Sequence, residues 1–162
     1  MESGRRGNLM KRVYFAHPCF TEDQKKFKQA FLEAINKSLE KSGLEKEFSI
    51  IDPFDYTPNV ENNPTMKRNV SRSIKEVCAR ILRESDVVIA LVDDEDTGVA
   101  FEVGVADTAL IPVVLVSHRM DLGRVNAMLL GAASAAIDNI MRPGRVDFML
   151  DIVLGLAVME RD

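Results

Sequence analysis

The chain has 162 residues, the size of one domain that can bury a real core. An apolar fraction of 46% and a charged fraction of 28% describe an ordinary globular protein, neither disordered nor embedded in a membrane. A formal net charge of -4, with the basic residues scattered, argues against a nucleic-acid-binding surface.

The opening eleven residues, MESGRRGNLMK, are polar and lack the apolar stretch of a signal peptide. They read as a disordered tail, 1–11, ahead of one domain over 12–162. The run KRVYFA (11–16) is β-rich and stops at His17-Pro18, which predicts a strand followed by a loop. Thr21 with Gln24 three residues on has the form of a capping box. Phe27, Phe31, Ala34, Ile35 and Leu39 then recur at helical spacing, so a helix runs to about Ser42-Gly43. Phe48 to Ile51 reads as a second strand ending at Asp52-Pro53, and 54–64 as a surface loop rich in proline and asparagine. Apolar positions from Val70 to Leu82 give a helix over 65–83.

Asp86 introduces VVIALV, a continuous apolar run of the kind found in strands buried on both faces. A short helix is expected over 100–110, and another buried strand at PVVLV (112–116). Residues 126–133 read as helix, 135–137 as a last short strand and 147–159 as a closing helix. That helix is apolar nearly all round, so it is either sandwiched in the core or packed on another subunit. Alternating strands and helices with apolar strands predict an α/β fold. It is a doubly wound, five-stranded parallel sheet of Rossmann or flavodoxin type, with helices on both faces. The apolar stretch at 146–159 is interrupted by Asp147 and Asp151 and is too short to span a bilayer. Cys19 and Cys78 form no CxxC pair, so neither a disulfide framework nor a zinc site is expected, and a reducing cytoplasmic setting is the default.

Ligands of such sheets bind beyond the carboxyl ends of the strands, which directs attention to 14–20, 53–56, 93–102 and 117–126. The densest group is Asp93-Asp94-Glu95-Asp96-Thr97-Gly98-Val99-Ala100-Phe101-Glu102. An acidic run is ordinarily a solvated loop. Glu102 differs, because it lies among Val99, Phe101, Val103 and Val105 near the start of a helix. A helix N-terminus would keep it ionised. An ionised carboxylate in a partly dry site is what a glycosyl nucleophile needs, although a first-turn Glu can also serve the helix dipole alone. No GxGxxG, GxxxxGK[ST] or GxSxG is present, and two histidines, His17 and His118, support no metal site. His17 before Pro18 reads as shaping the loop, and His118 as a loop histidine.

Three blocks resemble the nucleoside 2-deoxyribosyltransferase family, in the family's order and over about 13–140. The first is Tyr14-Phe15-Ala16 followed by Phe20-Thr21-Glu22-Asp23-Gln24. The second is the strand from Asp86, then Asp96-x-Gly98-x-Ala100-x-Glu102-x-Gly104-x-Ala106. The third is Gly123-Arg124-Val125-Asn126-Ala127-Met128. The resemblance implies that Glu102 attacks C1′ of a 2′-deoxynucleoside to form a covalent 2-deoxyribosyl-enzyme, which a second free base opens with retention. It implies that Tyr14 orients the Glu102 carboxylate, although a tyrosine in a strand is also simple packing. Asp96 and Asn126 would hold the sugar's 5′-hydroxyl, with Asn126 supplied by a neighbouring subunit of a homo-oligomer. Ala16, Phe20 and Gly98 fall in the substrate-binding stretches. An amide and a carboxylate suit a neutral hydroxyl, whereas Asp96 would repel a 5′-phosphate. Arg124 and His118 are the positive groups that act against this preference.

The family carries an acid eight positions before Asp86, where it protonates the departing base; here that position is Cys78. A thiol with a pKa near ~8.5 is a weak donor, and Cys78 alone also reads as a packed helix residue. Asp55 and Asp52 are the candidate replacements. The expected partners are a 2′-deoxynucleoside and a free purine or pyrimidine, in nucleotide salvage, with no cofactor, metal, nucleic acid or membrane. Base preference is expected to lie in the 54–64 loop. The alternatives are an N-glycosidase acting on a 2′-deoxynucleoside or its 5′-monophosphate with water as acceptor, and a non-catalytic nucleotide-binding module.

Overall fold

Each apolar run forms a strand, and the runs are apolar because helices cover both faces of the sheet. The computed structural model describes residues 10–159. Most of the expected tail, residues 1–9, lies outside the described residues, and Lys11 already pairs with Phe48. The strands are β1 (Lys11–Ala16), β2 (Phe48–Ile51), β3 (Val87–Leu91), β4 (Val113–Val116) and β5 (Ala135–Ile137). All pairings are parallel, in the order β2-β1-β3-β4-β5. The helices are α1 (Glu22–Lys41), α2 (Pro64–Arg83), α3 (Thr97–Thr108), α4 (Ala127–Ala132) and α5 (Arg145–Val158).

Successive side chains of a strand point to opposite faces. Val13, Phe15, Ile89 and Val114 therefore meet Phe31 and Ile35 of α1 and Met149 and Val153 of α5. Tyr14, Ala16, Val88 and Leu115 go the other way, to Leu82 of α2 and to Val99 and Val103 of α3. This alternation puts the Tyr14 phenol on the α2–α3 side.

Two helices begin earlier than their apolar spacing suggests. The helix expected from Ala100 starts at Thr97, because Asp96 caps it by accepting the Val99 N–H at 2.9 Å. The closing helix starts at Arg145, after Gly144 turns the chain with φ +80°, a conformation that suits glycine. It is not buried all round: Val146, Met149, Leu150, Val153 and Ala157 face the core, while Phe148 is half exposed. Its Asp147 accepts a hydrogen bond from Ser38 of α1. Among the described residues no helix is long and apolar enough to cross a membrane.

In the strand order 2-1-3-4-5 the direction of winding reverses between β1 and β3, which opens a crevice at their carboxyl ends. The loops after β1 and β3 meet there. Those after β2 and β4 flank it.

Candidate active site

Tyr14 is fully buried, and its hydroxyl donates a 2.7 Å hydrogen bond to Oε1 of Glu102. The pair joins the third-last residue of β1 to the second turn of α3, two elements packed on each other. Placement of Glu102 corrects one expectation. Because α3 starts at Thr97, Glu102 lies past the first turn, where the pull of the helix dipole has faded. Burial dominates instead and pushes its carboxyl up to about 7; the Tyr14 hydrogen bond opposes this and the nearby Asp96 charge adds to it. Burial, with the Glu102 charge beside it, raises the Tyr14 hydroxyl far above its usual value, so the phenol stays a donor. Burial and then the same charge raise the Cys78 thiol.

Glu102 and Cys78 border a cavity of about 170 Å³ with Asp96 and Gly98. A Cβ on Gly98 would come within 2.9 Å of Asp96 Oδ1, so glycine permits that close approach. Phe20, Phe54, Asn59 and Val60 also line the cavity. The Phe20 and Phe54 rings meet edge to face with centroids 5.8 Å apart. Phe54 is held from below. The Asp52 carboxylate lies 2.9 Å from His17 Nε2, accepts from Lys28 Nζ at 2.9 Å, and accepts the Phe54 N–H at 3.0 Å. His17 stacks on Phe15 and tilts against Phe54. Ala16 is buried at the end of β1 and lies outside the cavity lining.

Neither aspartate offered for Cys78 is placed to protonate a base. Burial alone would raise Asp52, but the His17 and Lys28 bonds outweigh it and hold its carboxyl at about 2. Asp55 is exposed and does not line the cavity. The carboxylate this loop does present is Glu61, ion-paired with Lys67 at 2.7 Å.

The acidic run is built rather than merely solvated. Buried Asp93 accepts the backbone N–H groups of His118, Arg119 and Met120 at 2.6, 2.7 and 2.9 Å, tying the loop after β3 to the loop after β4. Asp94 and Glu95 both take left-handed backbone, φ 67° and 47°. Such conformations cost non-glycine residues of order 1–3 kcal/mol each. Asp94 accepts from Gln24 Nε2 at 2.9 Å, and Asp96 caps α3.

A second groove of about 590 Å³ lies on the other side of α3's first turn, with Asp96 and Val99 bordering both cavities. It holds Thr97, Gly104, Arg124, Asn126 and Met128. Asn126 is exposed and caps α4 by accepting the Met128 N–H at 2.8 Å. Asn126 and Glu102 of one chain therefore open onto different cavities. His118 packs its ring 5.1 Å from Phe27 rather than facing either of them. Among the described residues no group of three His, Cys, Asp or Glu side chains is arranged to hold a metal ion.

Sequence reasoning missed the Asp52 brace, the three-fold acceptor role of Asp93 and the Gln24–Asp94 bond. The acidic run signalled the second, since four acids in a row need partners. The others join residues 24 to 70 positions apart, a distance that no local pattern encodes.

Strand order and site together describe a doubly wound α/β protein whose crevice centres on a phenol-bonded carboxylate. The chain belongs to the nucleoside 2-deoxyribosyltransferase family, whose model matches residues 13–141. The 2-deoxyribosyltransferase of Bacillus psychrosaccharolyticus is 25% identical over 77% of this chain and 84% of its own, with a TM-score of 0.54. A conserved protein of Enterococcus faecalis V583 shares the fold at 20% identity, covering 91% and 99% of the two chains with a TM-score of 0.63. The CMP N-glycosidase BcmB of Clostridium botulinum shares it at 17% identity, 88% and 99% coverage and a TM-score of 0.55. No curated protein sequence matches the chain.

Proposed function

We propose that the chain exchanges the base of 2′-deoxynucleosides by double displacement through Glu102. One observation carries this reading: the 2.7 Å bond that aims the Glu102 carboxylate from a fully buried Tyr14 into the crevice. The ionised carboxylate attacks C1′ as the C1′–N bond breaks, and the base leaves with the bonding electrons and takes up a proton. A second base then attacks C1′ from the vacated face, gives up its N–H proton to solvent and releases Glu102, so two inversions give net retention. The reaction as written uses no cofactor.

Support for a nucleoside over a 5′-monophosphate comes from Asp96, whose charge would repel a phosphate beside it. Asp96 opens toward the second groove as well as toward Glu102, and Asn126 lies across that groove. We assign Asn126 to the site of a neighbouring copy, in a homo-oligomer formed over the exposed apolar residues Phe101 and Met128. The catalytic unit is residues 12–162, acting in cytoplasmic nucleotide salvage.

Chromatography of the protein with a 2′-deoxynucleoside, with and without a second free base, tests the reading beside Glu102→Ala. The expected result is a new deoxynucleoside that requires both the acceptor and Glu102. Base released regardless of acceptor would replace transfer by hydrolysis. No turnover across purine and pyrimidine donors would leave a binding module.

A further inference from the structure

Gln24 uses its two ends for different purposes. Its Oε1 accepts the backbone N–H groups of Phe20 at 2.8 Å and Thr21 at 3.1 Å, completing the capping box of α1. Its Nε2 donates to Asp94 Oδ2 at 2.9 Å, joining α1 to the loop between β3 and α3. Helix capping needs only the oxygen. The second bond does nothing for α1.

What it does for the other loop follows from the backbone there. Asp94 and Glu95 are consecutive left-handed residues, and neither is glycine. Such a turn persists only where its surroundings hold it. Asp93 anchors its start on three N–H groups, and the Gln24 amide grips its middle. The turn then delivers Asp96, the cap of α3, and through α3 it sets where Glu102 meets Tyr14. On its other side Gln24 fixes the backbone of Phe20, which lines the same cavity as Glu102.

Resting on the reading of this crevice as a deoxyribosyl-transfer centre, the geometry points to Gln24 as a positioning residue. It does not line the cavity itself. It holds the turn that carries Asp96 and Glu102 in register with the aromatic wall that carries Phe20.

The test separates this task from capping. Gln24→Glu keeps an acceptor for both N–H groups, and glutamate is native to capping boxes, so α1 stays capped. It replaces the amide donor with a carboxylate facing Asp94, and the bond becomes a repulsion. The double variant Q24E/D94N restores the bond in reverse, with the amide introduced at position 94 donating to the carboxylate at position 24.

The expected Q24E effect is a fall in kcat of about tenfold, the scale of a sub-ångström misplacement of a reacting group, with KM and melting temperature near wild type. Q24E/D94N recovers most of that loss. A wild-type kcat in Q24E, or a double variant no more active than Q24E, would overturn the assignment. Should the wild type turn over no deoxynucleoside, the proposed function fails and Gln24 is judged separately, by the Glu102 titration followed in ¹³C NMR. Q24E is then expected to move that midpoint away from about 7, and Q24E/D94N to return it. An unmoved midpoint in Q24E overturns the positioning role.

Discussion

In the proposed reaction Glu102 must be ionised to attack, yet its surroundings favour the neutral acid up to about pH 7. The rate is therefore expected to rise with pH through about 7, which kcat measured across pH 5 to 9 checks. Tyr14 lowers the Glu102 value by donating to it, so Tyr14→Phe moves that limb to higher pH and reduces the rate at neutral pH by roughly 10- to 100-fold. A limb that stays in place in the Phe variant would remove Tyr14 from the role. The same group sets a stability trend of defined sign. Its folded value lies above the unfolded 4.5, so between 4.5 and about 7 the folded state holds the proton that the unfolded chain has released. Stability falls as pH rises through that window, by on the order of 2–3 kcal/mol. Glu102→Gln abolishes this slope, and urea denaturation at pH 5 and pH 8 measures it. Glu102 stood out in the sequence as a site candidate because it is a carboxylate set among Val99, Phe101 and Val103. Its protonation range was not legible there, because that is set chiefly by burial, which arises only once β1 and α3 pack together.

At the scale of elements, the crevice is made of loops pinned to one another. Asp93→Ala strands three backbone N–H groups that now share one buried carboxylate, and is expected to cost on the order of 3 kcal/mol in urea denaturation. Asp93→Asn costs less, since its amide keeps one acceptor oxygen but turns its N–H₂ toward an N–H donor. Equal stability for wild type and the alanine variant would mean that the two loops are held by something else. Strand and helix positions were readable from local periodicity to within a few residues, because burial on both faces imposes the pattern. The ends were less so: α3 begins at a carboxylate cap and α5 at a left-handed glycine, and neither interrupts the apolar spacing that marks a helix. The brace under Phe54 was hidden for another reason. Asp52, His17 and Lys28 come from three separate segments and meet only in the folded chain.

For the whole molecule, the parallel sheet followed from the apolar runs, while the reversal of winding between β1 and β3 is visible only once the strands pair. The proposed exchange of Asn126 between copies makes a prediction that no single-subunit arrangement shares. Asn126→Ala and Glu102→Ala chains, each inactive alone, regain activity when refolded together, up to about a quarter of wild type for randomly mixed dimers. No gain on mixing would return Asn126 to its own chain.

In the proposed reaction, making and breaking the bond falls to a strand and a helix locked in the core, and we assign the base to the loop hung between β2 and α2. Replacements along 54–63 thus leave the Tyr14–Glu102 pair undisturbed. Under that assignment, a lineage built on this frame can change its diet of bases while inheriting one chemistry, and grafting that loop between relatives is expected to carry base choice with it.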